Sequence, residues 1–64
     1  ERARAEPALV TAYLGLGSLA EQDGDADAAL SHYDRALQLA TGLAYGEAMG
    51  TARAGIRRAR QSAR

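Results

Sequence analysis

The stretch that decides the fold runs from Val10 to Leu43: VTAYLGLGSLAEQDGDADAALSHYDRALQLATGL. At its centre, Asp23-Gly24-Asp25 reads as a helix stop followed by a helix start. Gly24 suits the left-handed backbone that closes a helix, and Asp25 suits an acceptor for the free N–H groups that open the next one. Asp27 then falls in the first turn of a second helix, where the helix dipole favours negative charge. Upstream, Leu9, Tyr13, Leu16 and Ala20 recur at helical spacing, and Pro7 marks a first turn, where its missing N–H is no loss. Downstream, Ala26, Ala29, Leu30, Tyr33, Ala36, Leu37 and Ala40 form a second apolar stripe, closed by Thr41-Gly42. A third stripe follows through Met49, Ala52, Ile56, Ala59 and Ala63.

Working outward, the spacing predicts helices over about 7–22, 25–41 and 47–62, all within one domain of residues 1–64. Val, Ile and Thr are few and no alternating run appears, so the chain reads as all-α. Short connections imply antiparallel neighbours. Gly17 and Ala20 on the first helix, with Ala29 and Ala36 on the second, predict close backbone approach, with Tyr13, Leu16 and Tyr33 filling the space beside them.

The residues from about Val10 to Leu43 resemble a tetratricopeptide repeat, the helix–turn–helix unit of helical scaffolds. Tyr13 stands at the family's first aromatic position, Leu16-Gly17 at its Leu-Gly pair, and Gly24 at its turn glycine. Ala29 stands at the small residue of the second helix, Tyr33 at the second aromatic, and Ala36-Leu37 at the closing pair. Ala20 occupies a place where Tyr or Leu is usual, and Thr41 one where Pro is common. About half the chain is covered. The third helix reads as a capping helix or as half of a further repeat, with Ala54-Gly55 echoing Leu16-Gly17. That register sets Arg58 at the place of Ala20, whereas the stripe of the third helix runs through Met49 and Ile56.

The resemblance implies a non-catalytic scaffold that binds a protein or peptide, or copies of itself, through a groove. Its groove positions fall on Thr11, Leu14, Ser18 and Gln22, with Ala52 and Ile56 added by the third helix. No cofactor is implied. Chaperone-type repeats clamp a C-terminal carboxylate with Lys and Asn, and that set is missing here.

Composition narrows the alternatives. The chain has 64 residues, eight acids against eight Arg, and no Cys. Without Cys there are no disulfides, thiolate metal sites or cysteine nucleophiles. Of 30 apolar residues 16 are Ala, which leaves little bulk for the core of an autonomous enzyme. No run is apolar enough to span a membrane and no signal peptide opens the chain, so a cytoplasmic location is expected. Exclusive use of Arg and a heavy use of Ala suggest a GC-rich, bacterial genome. A first residue Glu1 rather than Met suggests a piece of a longer protein, of signalling or regulatory type. Charge is polarised: residues 21–45 carry a net −4 and residues 46–64 a net +4. Such blocks attract each other, attract neighbours, or keep the surface wet.

Two rival sites remain. Asp23, Asp25, Asp27 and Asp34 follow the spacing of a dockerin-like calcium loop, yet Ala28 stands where that loop needs Gly for its sharp turn. Arg53, Arg57, Arg58, Arg60 and Arg64 form a basic helix that suits phosphate, without the basic excess or interleaved aromatics of a nucleic-acid binder. His32 has no second His or Cys to share a metal. Ser18, Ser31 and Ser62 lack a paired base nearby, and Gly15 with Gly17 lacks the Lys and preceding strand of a phosphate loop.

Overall fold

A computed structural model describes the backbone of residues 2–62 and the side chains of residues 8–62. Three helices follow one another: α1 (Arg2–Gln22), α2 (Ala26–Gly42) and α3 (Gly46–Ser62). The middle helix packs α1 on one side and α3 on the other, and α1 also touches α3. The fold is therefore all-α, with boundaries of α2 and α3 within a residue of those the spacing predicts. The start of α1 differs. It begins at Arg2, so Pro7 lies inside the helix rather than in its first turn, and one backbone hydrogen bond is forfeited there.

Both turns are built the same way. In the first, the Asp25 N–H donates to the Ala20 carbonyl (2.9 Å) and the Gly24 N–H to the Glu21 carbonyl (3.0 Å). In the second, the Tyr45 N–H donates to the Ala40 carbonyl (2.8 Å) and the Ala44 N–H to that of Thr41 (3.1 Å). This paired closure requires one left-handed residue. Gly24 supplies it at φ 78° without steric cost, whereas Ala44 supplies it at φ 55° against its own Cβ. Asp25 opens α2 as expected, its carboxylate accepting from the Ala28 N–H at 3.1 Å.

Small residues dominate the core. Val10, Ala29, Ala36, Ala40 and Ala52 are fully buried, and Tyr33 and Ala59 nearly so. The large exception is Tyr33, whose ring is wedged between two glycines on different helices. A Cβ placed on Gly17 would lie 2.8 Å from the ring, and one on Gly55 only 2.6 Å away. Glycine at both positions is what lets α1 and α3 close on α2 around this ring. The small residues of α1 and α2 thus mark close contacts, as expected, with Ala20, Ala29 and Ala36 buried beside them.

Three expectations about faces need correction. On α1, Leu9 and Leu16 are 47% and 43% exposed, and Tyr13 is half-buried, its ring tilted against His32 at 6.4 Å between centroids. Tyr33 fills the space beside the small residues with Leu14, Leu30 and Ile56 packed against it, rather than with Tyr13 and Leu16. The reason is that α1 carries leucines around much of its circumference, so periodicity leaves the buried side open, and the ring selects the side bearing Gly17. On α3 the same selection favours Gly55, which puts Ala48, Ala52, Gly55 and Ala59 inside and leaves Met49 and Ile56 half-buried at the margin. Ala63 lies outside the described residues.

Candidate functional site

Where α1 ends beside α3, three side chains form one network. The Tyr33 hydroxyl donates to Glu21 Oε1 at 2.6 Å, while Arg58 donates through Nε to Oε2 at 2.8 Å and through its terminal nitrogen to Oε1 at 3.0 Å. Two parallel N–H groups on one carboxylate form the strong fork geometry of an arginine pair. The Arg58 bonds, followed by the Tyr33 hydroxyl, pull the Glu21 carboxyl down from 4.5 to about 2. Glu21 in turn raises the Arg58 guanidinium. Burial first, and then the neighbouring carboxylate, push the Tyr33 hydroxyl up. The Arg58 side chain lies at the surface, 55% exposed, and ties α3 to the end of α1. Among the described residues this is the one ion pair. Its chemistry is structural, since every group in it is matched by another.

Two clefts flank the helices. The smaller, about 210 Å³, lies between α1 and α3 and is lined by Val10, Thr11, Leu14, Tyr45, Glu47, Ala48 and Thr51. The larger, about 860 Å³, runs between α2 and α3. Its α2 wall carries Asp27, Ser31 and Asp34; its α3 wall carries Arg53, Arg57 and Arg60 with Gln61. Leu30, Leu37 and Ile56, all half-buried, form the apolar floor. No ion pair bridges these walls among the described residues, and Asp34 instead accepts from Gln38 at 3.1 Å.

The residues expected to form one groove are divided by this arrangement. Thr11 and Leu14 line the smaller cleft, and Ser18 and Gln22 are exposed further along α1. Ile56 lines the other cleft, and Ala52 is fully buried between helices, so it offers no surface to a ligand. Of the residues read as the repeat signature, Gly17, Ala20, Ala29, Tyr33 and Ala36 are buried, Leu37 is half-buried, and Gly24 closes the turn.

The acidic spacing does not assemble a cation site. Asp25 is engaged as a helix cap, Asp27 begins α2 and Asp34 lies in the middle of it. Among the described residues no three His, Asp or Glu side chains gather where they could hold a metal. None of the described helices is long and apolar enough to cross a membrane.

Sequence reasoning did not single out the larger cleft. Each charge in it is visible in the sequence, and the opposed −4 and +4 blocks were the available signal. What the sequence lacks is the pairing of α2 with α3 that turns two charged blocks into two facing walls. An exposed row on α1 was also missed as such: Leu9, Leu16 and Leu19 lie at spacings that share one face, with Leu19 58% exposed.

The comparisons add no neighbour. Scanned against protein-family models, the chain matches none, and neither the curated proteins nor the solved structures give a match.

Proposed function

We propose that this chain is a non-catalytic helical-repeat module, of tetratricopeptide type, that binds other proteins. The observation that carries this reading is the leucine row on α1. A chain with eight leucines leaves three of them, Leu9, Leu16 and Leu19, open to water on one face. Isolated surface leucines are ordinary, but a row along three turns of a helix is what an apolar partner surface covers. The repeat type rests on the glycine seats of Tyr33. Gly17 and Gly55 stand 38 positions apart and meet opposite edges of the same ring, so α1 and α3 play equivalent parts on either side of α2. On this reading α3 repeats the part of α1 and closes the module as a capping helix, and the host is a bacterial regulatory or signalling protein. Thr11, Glu47 and Thr51 add polar groups at the smaller cleft, on a different face of α1 from the leucine row.

Photo-cross-linking in cells tests the reading. A cross-linker at Leu16 or Leu19 is expected to give a discrete covalent adduct with a protein, and Leu9→Ser should suppress it. Absence of a protein adduct from both positions would refute the reading.

A further inference from the structure

We infer that the α2–α3 cleft is a self-complementary face through which two copies of this chain form a parallel, two-fold symmetric dimer. The inference deepens the interaction-module reading and rests on it, but it uses a different surface from the leucine row on α1.

The argument begins with levels along the cleft. Tyr33 of α2 meets Gly55 of α3, and Ala40 shares a core cluster with Ala48, so the two helices run antiparallel about the turn at Ala44. The same register sets Asp27 level with Arg60 and Asp34 level with Arg53. These charges line opposite walls of a cleft of about 860 Å³ and do not pair with each other. Each wall is therefore a row of one sign left unneutralised, with Leu30, Leu37 and Ile56 half-covered between the rows.

An occupant must bring an apolar strip flanked by arginines on one side and acids on the other. The chain itself has this pattern. A two-fold axis running along the cleft lays the acidic wall of one copy on the basic wall of the other, at unchanged levels. Asp27 then faces Arg60 of the partner subunit, Asp34 faces Arg53 of the partner subunit, and the two apolar floors meet. An axis crossing the cleft would instead lay acid on acid and arginine on arginine, which like-charge repulsion disfavours. The first arrangement also makes every neighbouring helix antiparallel, as in a four-helix bundle. Two 17-residue helices, each about 25 Å long and 10 Å wide, give roughly 500 Å² per copy. That total of about 1,000 Å² is at the low end for specific association, so a weak dimer is expected.

The test is sedimentation equilibrium on the 64-residue chain from about 1 µM to 1 mM, with circular dichroism confirming helicity of each variant. The wild type should dimerise, and its dissociation constant should rise at least threefold between low salt and 0.5 M NaCl. Asp27→Arg with Asp34→Arg makes both walls basic, and Arg53→Glu with Arg60→Glu makes both walls acidic. Each variant alone should weaken association at least tenfold, and an equimolar mixture should restore it as a heterodimer. A wild type that stays monomeric at 1 mM would overturn the inference, and so would a dimer that neither variant weakens. In both cases the cross-linking result from α1 still decides the broader reading separately.

Discussion

Replacing Gly55 by alanine should destabilise the fold, although the same replacement at Gly50, one and a half turns away, should stabilise it. Intrinsic preference favours alanine over glycine inside a helix by about 1 kcal/mol, and both residues lie within α3. At Gly50 a new Cβ meets nothing within 4 Å, so that gain is realised in full. At Gly55 the Cβ would stand 2.6 Å from Cε2 and Cζ of Tyr33, well inside van der Waals contact. The ring has no room to retreat. Gly17 holds it from the other side, and moving it would pull the hydroxyl from Glu21, now 2.6 Å away. Overpacking of this kind costs roughly 1–3 kcal/mol, and the propensity gain offsets about 1. The net expectation for Gly55→Ala is a loss of up to about 2 kcal/mol, or a melting temperature lower by up to about 15 °C in a chain of this size. Thermal unfolding followed by circular dichroism reads both variants. If Gly55→Ala proved as stabilising as Gly50→Ala, the wedged ring would not organise the fold and the packing argument would fail.

Three further outcomes are expected. Ala44→Gly removes the left-handed strain at φ 55° and should raise stability by about 0.5–1 kcal/mol in urea unfolding, despite glycine's greater freedom when unfolded. Asp25→Ala removes the acceptor of the Ala28 N–H and should cost about 1 kcal/mol by the same assay. The folded state holds the Glu21 carboxyl at about 2, below its ordinary 4.5, so it favours the ionised form. That contribution is complete above about pH 4.5 and is lost as pH falls through about 2. Because Arg58 is half exposed, water screens the pair and the loss is about 1 kcal/mol. Stability measured from pH 5 to pH 2 should fall less steeply in Glu21→Gln than in the wild type.

Local signals carried much of the architecture. Asp23-Gly24-Asp25 announces its turn because a helix end and a helix cap are both decided within a few residues, and the structure bears out each role. Gly17 stood out for close approach for the same reason. The second turn was readable only as a break, since an alanine gives no sign that it will adopt the left-handed backbone. Faces were harder. Leucines spread around α1 satisfy more than one helical stripe, and which stripe is buried depends on where the ring of Tyr33 comes to rest. The same holds for α3, where Gly55 outranks Met49 and Ile56 because it is the glycine that stands against the ring. The charged walls of the larger cleft arise from two helices brought side by side, a relation between distant residues that no local pattern encodes.

The seat of Tyr33 also bears on how the chain comes apart. One ring completes the interface of α2 with α1 and the interface of α2 with α3. Peeling away either outer helix would wet one side of that ring; losing α1 takes Glu21 from its hydroxyl, and losing α3 takes Arg58 from Glu21, so neither two-helix hairpin retains all that holds it in the intact fold. The three helices are thereby bound to unfold as a single cooperative unit, with α2 amides exchanging with solvent only when the whole domain opens.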